Sequence, residues 1–212
     1  MYIGIVVSNT PGAVDDATAT TALYLIISAL RQFARAEQNI RAGRWKSGLA
    51  PAHDPSSKTL AILGLGGIAI RLVELVRPFG MRVLYHSRRP NPNAPKECEY
   101  FGEDRLEEMY AQADILSVHV PLRKDTEGLV GEKTIRALKR GAVLVNTARG
   151  KVVDEAAMIR ALEDGHVSLS LFLSLCLVHF SKEKGLLIAF THSAFVCSSL
   201  QLGWTSTQTS HT

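Results

Sequence analysis

KTLAILGLGGIA, residues 58–69, is the stretch on which the fold turns. Leu60 to Leu63 is a short apolar strand that runs straight into a glycine-rich turn. Gly64-Leu65-Gly66-Gly67-Ile68-Ala69 has the pattern G-x-G-x-x-A, and a helical run from about Ile70 to Phe79 follows it. Gly64 permits a tight turn, Gly66 lets the backbone approach a pyrophosphate, and a small third residue, Ala69, lets helix and strand pack closely. Free N–H groups at the helix N-terminus then face the phosphates, and the helix dipole favours their charge. A plain glycine-rich βα turn shares the pattern; the strand before it and the helix after it favour a dinucleotide.

Upstream, Tyr2 to Val7 reads as a strand that ends in the turn cluster Ser8-Asn9-Thr10-Pro11-Gly12. Asp15 or Asp16 can cap one long helix, from about Ala17 to Arg41, whose apolar residues cover more than one stripe. Trp45 to Ser57 is a loop, with His53 solvated.

Downstream, Arg82 to Tyr85 is a second strand. A fold selective for NAD carries an acidic residue about 20 positions after the glycines, where it binds the ribose hydroxyls. Here the region is His86-Ser87-Arg88-Arg89, with no carboxylate. Two guanidinium groups and a hydroxyl suit a 2′-phosphate, so NADP is preferred over NAD; the plainer alternative is a solvated basic loop.

Asp104 to Gln112 is a helix, and Ile115 to His119 a third strand, followed by Val120 and Pro121. Carboxyl ends of parallel strands line the ligand crevice, so this segment borders the cofactor. His119 reads as a rim or core histidine ahead of a catalytic one, and Thr126 either donates to the cofactor or starts a helix. Glu132 to Lys139 is an amphipathic helix and Ala142 to Val145 a fourth, buried strand. Asn146-Thr147-Ala148-Arg149-Gly150 follows, placing Arg149 on the crevice side, and a helix spans Asp154 to Leu162. Strands alternating with helices predict an α/β fold, a doubly wound parallel sheet with right-handed crossovers.

Composition sets limits. A chain of 212 residues, 46% hydrophobic, can bury a full domain core. The net charge of +4 is modest and spread out, which does not argue for nucleic acid. Cys98, Cys176 and Cys197 are odd in number and widely spaced. They suggest neither a disulfide framework nor a metal site, and fit a reducing, cytoplasmic compartment. MYIGIVVSNTPG lacks the pattern of a secretory signal.

SNTPGAVDDATA, LAILGLGGIA, YHSRR, ADILSVHVPLRKDTEGLV and GAVLVNTARGKVVDEAAMIRALEDGH together resemble the D-isomer-specific 2-hydroxyacid dehydrogenases, the glyoxylate/hydroxypyruvate reductase branch above all. The resemblance covers about residues 4–166 in consistent order. It implies hydride transfer between NADP or NAD and a small 2-oxo or 2-hydroxy acid, in a cleft between two α/β domains. It also implies homodimers, which are common in the family. Gly64, Gly66, Gly67 and Ile68 match the pyrophosphate loop, and His86, Ser87, Arg88 and Arg89 the ribose-selecting turn. Val120, Pro121, Thr147 and Ala148 match cofactor contacts, and His119 and Thr126 are further cofactor candidates by their position beside them. Arg149 matches the arginine that binds the substrate carboxylate, a role its planar fork suits; a surface salt bridge is the alternative.

By this resemblance residues 1–47 are a remnant of the substrate domain with the hinge and dimer helix, and residues 48–166 the NAD(P)-binding Rossmann domain. Residues 167–212 depart from it. The family continues into a strand with Gly-Leu-Asp-Val, then Glu-Pro and Pro-His, which supply the acid–base pair. None is recognisable, and Thr191-His192-Ser193 is not that histidine motif. The apolar run Val167 to Phe180, 14 residues, falls short of the roughly 20 needed to span a bilayer, so a membrane tether is the weaker reading. Translation through an unspliced intron is favoured. Val167-Ser168 can be encoded GTA-AGT, a splice-donor sequence, and a shifted frame through Leu200 to Thr212 can yield Gly-Leu-Asp-Val and Glu-Pro-His. Loss of the family's sixth strand would leave a sheet edge unpaired.

Overall fold

The computed structural model describes residues 10–172, 179–181, 186–188 and 195–199, with side chains for residues 10–168. The expected strand Tyr2 to Val7 and the segment Thr191 to Ser193 lie outside the described residues.

The first helix, α1 (Asp15–Arg31), carries Asp15 and Asp16 in its first turn, where their charge complements the dipole. It buries Ala19, Ala22, Leu25, Ile26, Ala29 and Leu30. The single long helix expected here is instead broken at Gln32, which adopts a left-handed conformation with φ 54°. The Gln32 side chain donates from Nε2 to the Ala50 carbonyl at 2.9 Å, tying the break to the following loop. The break also separates two different surfaces. The second helix, α2 (Phe33–Arg41), buries only Asn39, whose amide donates to the Ser47 carbonyl at 2.7 Å.

β1 (Thr59–Leu63) is buried along its whole length, and α3 (Gly67–Val76) follows the glycine turn. Next come β2 (Arg82–His86) and β3 (Cys98–Phe101). β3 is a strand that the pattern of residues 90–101 does not announce. α4 (Leu106–Gln112), β4 (Ile115–Val118), α5 (Glu132–Ala137) and β5 (Ala142–Asn146) continue the alternation. α6 (Glu155–Glu163) is capped by Asp154, whose carboxylate accepts from the Ala157 N–H. Then come β6 (Val167–Phe172), β7 (His179–Ser181), β8 (Leu186–Ile188) and β9 (Phe195–Ser199).

The sheet order is β3-β2-β1-β4-β5-β6-β9-β8-β7. The first six strands are parallel, and β6 to β9 pair antiparallel. β5 is therefore not an open edge, contrary to expectation. Val167–Phe172 supplies a sixth parallel strand, with a register shift between Ala142 and Val143. Val-Ser-Leu-Ser-Leu-Phe alternates with period two, which suits a strand whatever its origin.

Helices cover both faces. On one, Ala61, Leu63, Leu84, Phe101, Met109, Leu116, Ile135, Leu144 and Ala157 form a core beneath α4, α5 and α6. On the other, Leu25, Ile26, Leu60, Ile62, Leu72, Val73 and Val145 form a second core, so α1 and α3 share it with the sheet. Neighbours along β1 thus point to opposite cores, as the pleat requires. No helix among the described residues is long and apolar enough to cross a membrane.

Candidate dinucleotide site

Register brings four strand ends to one level. Leu63 pairs with His86 on one side and Val118 on the other, and Val118 pairs with Asn146. The chain leaves the sheet at the next residue in each case: Gly64, Ser87, His119 and Thr147. The chain runs outward from β1 through β2 to β3, then crosses back to β4 on the other side of β1. That reversal opens a crevice outside the carboxyl ends, where α/β sheets of this kind bind ligands.

Three glycines have three different reasons. Gly64 has φ 95°, and its N–H donates to the His86 carbonyl at 2.8 Å. A Cβ there would lie 2.8 Å from Val120 Cγ1 and 3.1 Å from the His119 carbonyl carbon. Gly66 is the N-cap of α3, extended, with no side-chain acceptor on the first-turn N–H groups. A Cβ on Gly66 would meet nothing within 4 Å. Those N–H groups and that open space are what an approaching phosphate requires. At Gly67 the Asp15 carboxylate occupies the space a Cβ would take, so a side chain there requires that carboxylate to move. Ile68 and Ala69 pack into the second core.

The turn after β2 is fastened from three directions. Ser87 Oγ donates to the Arg89 carbonyl at 2.6 Å, and Tyr100 Oη on β3 donates to the Ser87 carbonyl at 3.2 Å. Asn91 Nδ2 donates to the Leu65 carbonyl within the glycine loop at 2.7 Å. Leu65, Ser87, Arg88, Arg89 and Asn91 line a cavity of about 650 Å³. Arg88 and Arg89 are exposed, and among the described residues neither forms an ion pair with a carboxylate. His86 turns to the sheet instead, with Nδ1–H donating to the Phe101 carbonyl at 2.9 Å.

On the far side of the crevice, the His119 N–H donates to the Leu63 carbonyl at 2.8 Å. His119 Nε2 hydrogen-bonds Ser117 Oγ at 2.8 Å, and burial pushes the imidazole down to about 4. The ring is therefore neutral near pH 7 and a weak proton donor. Thr126 does not open a helix. Its hydroxyl donates to the Pro121 carbonyl at 2.6 Å and accepts from the Arg123 N–H at 2.7 Å, closing the loop 121–126.

At the end of β5, Asn146 is fully buried and holds the turn that carries Arg149. Its Oδ1 accepts from the Ala148 N–H and its Nδ2 donates to the Arg149 carbonyl, both at 2.9 Å. Arg149 is exposed, with Nη1 on the Ala148 carbonyl at 2.9 Å. Thr147 Oγ is buried and has no hydrogen-bond partner among the described residues. Asp15, Asn91 and Asn146 are the residues of this region that the motifs pass over. Only the G-G doublet at 66–67, asking for a neighbour with no space to spare, hinted at the first of them.

The model of the D-isomer specific 2-hydroxyacid dehydrogenase NAD binding domain matches residues 23–171. This chain belongs to that family. The 4-methyl-2-oxopentanoate reductase A of Aspergillus oryzae is 41% identical over 165 residues, 77% of this chain and 49% of that protein. The crystal structure of a glyoxylate reductase from Paecilomyes thermophila superposes with a TM-score of 0.75 at 41% identity, over 81% of this chain and 52% of that one. A D-isomer specific 2-hydroxyacid dehydrogenase from Xanthobacter autotrophicus Py2, solved with NADPH and MES, gives a TM-score of 0.72 at 27% identity, over 84% of this chain and 72% of that one. The chain spans about half the length of the curated 2-hydroxyacid dehydrogenase relatives it matches.

Proposed function

We propose that this chain binds NADP(H) in preference to NAD(H) and, as a 2-hydroxyacid dehydrogenase, reduces a small 2-oxo acid such as glyoxylate or hydroxypyruvate. The observation that carries the reading is the Arg88–Arg89 turn over a cavity of about 650 Å³, joined by Asn91 to the loop of Gly66. The residues suit the cofactor in kind. Gly66 leaves open space at the uncapped N-terminus of α3, and Thr147 Oγ is a buried polar atom without a partner among the described residues. Gly64, Gly66, Gly67 and Ile68 would hold the pyrophosphate, and Ser87, Arg88 and Arg89 the 2′-phosphate. His119, Val120, Pro121, Thr147 and Ala148 would line the rest. When bound, the nicotinamide supplies a hydride to a carbonyl carbon. Arg149 would take the substrate carboxylate in two-point contact, fixing the carbonyl.

The cofactor preference has its own test. Replacing Arg88 and Arg89 together by alanine is expected to raise the NADPH dissociation constant roughly 10- to 100-fold, since charge-assisted hydrogen bonds are lost. The NADH constant should stay within about twofold, because NADH has no 2′-phosphate for them to hold. Fluorescence titration with both cofactors checks this, and equal weakening of the two would sink the assignment.

A second reading, a dinucleotide-binding chain without turnover, draws on His119. Its imidazole is neutral and engaged with Ser117, and residues 166–212 contain neither Glu-Pro nor Pro-His. General acid catalysis typically contributes about 10²–10⁴-fold. NADPH-dependent reduction of glyoxylate and hydroxypyruvate by the purified chain separates the two. Turnover that falls roughly 10²-fold or more in kcat/KM on Arg149→Ala supports the reductase. Saturable NADPH binding with no turnover establishes the second reading.

A further inference from the structure

We infer that Asn91 is a positioning residue that sets the NADPH over NADH preference of this chain, an inference that rests on the cofactor assignment to Arg88 and Arg89. The two loops that line the cavity meet at two points. At its start, the glycine loop is tied to the end of β2, where the Gly64 N–H is bonded to the His86 carbonyl, and Gly64 itself lies against Val120. The arginine turn has weaker support. Ser87 Oγ folds it on itself, and Tyr100 holds its first residue at 3.2 Å. Its far end, beyond Arg89 and Pro90, is tied down through Asn91.

Asn91 uses all four of its polar groups there. Nδ2 donates to the Leu65 carbonyl at 2.7 Å, Oδ1 accepts from the Asn93 N–H at 2.8 Å, its backbone N–H donates to Tyr85 Oη at 3.3 Å, and its carbonyl accepts from the Ala94 N–H at 3.0 Å. The first of these is a link between the turn and the glycine loop. It sets how far the guanidinium groups stand from the place where the pyrophosphate would lie. A dinucleotide bridges those two places through its adenosine ribose. Only NADPH would present a phosphate to the arginines, so NADPH would be the more sensitive of the two to that separation.

Removing the amide should therefore act on selectivity more than on binding as such. In Asn91→Ala the NADPH dissociation constant is expected to rise about 5- to 10-fold, the worth of a typical buried hydrogen bond, while the NADH constant stays within about twofold. Asn91→Ser is a second probe. It keeps an oxygen near the Asn93 N–H but is too short to reach Leu65, and the same selective loss is expected. Thermal unfolding of both variants is recorded beside the titrations. A loss shared equally by NADPH and NADH, or no change in either, overturns the positioning role. A wild-type chain that binds both cofactors equally overturns the arginine assignment and this inference with it. If the Arg88/Arg89 double variant loses its preference and the Asn91 variants do not, this inference alone fails.

Discussion

Gly66→Val is expected to cost roughly 100-fold or more in NADPH and NADH affinity while leaving thermal unfolding within about 1 kcal/mol of the wild type. Both halves follow from the same geometry. Gly66 is extended, with φ −97° and ψ −169°, a conformation any residue adopts, and an added Cβ meets nothing within 4 Å. The protein therefore has no structural use for the missing side chain. The open space lies at the N-terminus of α3, whose first N–H groups lack a side-chain cap. A valine there would stand between those donors and a phosphate, forfeiting several charge-assisted hydrogen bonds at once. Titration of the folded variant with each cofactor checks this. Retained affinity would show that the pyrophosphate goes elsewhere.

Gly64→Ala is expected to do the reverse: destabilise the fold first. Its φ of 95° costs an L-residue roughly 1–2 kcal/mol. The new methyl would also meet Val120 Cγ1 at 2.8 Å and the His119 carbonyl carbon at 3.1 Å, and overpacking of this kind costs about 1–3 kcal/mol. The sum, about 2–5 kcal/mol, corresponds to a fall of roughly 4–20 °C in Tm for a chain of this size. Thermal or urea unfolding measures it, and a Tm unchanged within error would contradict the close contact. Two glycines of one motif thus separate cleanly. One makes the turn, and the other keeps the door open.

How much of this was legible depends on where the determining interactions lie. β1 and α3 are plain in sequence, because a continuous apolar run, a fixed glycine spacing and an apolar helical face are all local. The same holds for β5, buried at every position, and for the Asn146–Gly150 turn after it. β3 is different. Cys-Glu-Tyr-Phe is short and only partly buried, and its pairing with Val83 to His86 of β2 makes it a strand. The break at Gln32 is equally non-local: neither glycine, proline nor asparagine marks it, and its partner carbonyl comes from Ala50. Asn91 and Asn146 read as ordinary loop asparagines until the chain returns Leu65 and Arg149 to them. The unusual composition after Gly165 hid a two-residue alternation that still completes the parallel sheet through β6.

The central claim is that the carboxyl-end crevice of this sheet takes a dinucleotide and reads its 2′-phosphate through Arg88 and Arg89. Equilibrium titration of the whole chain with NADPH and with NADH tests it most directly. The account predicts saturable, one-to-one binding of both, with NADPH the tighter by roughly tenfold or more, the worth of one charge-assisted contact. No saturable binding of either cofactor, or tighter binding of NADH, would contradict it.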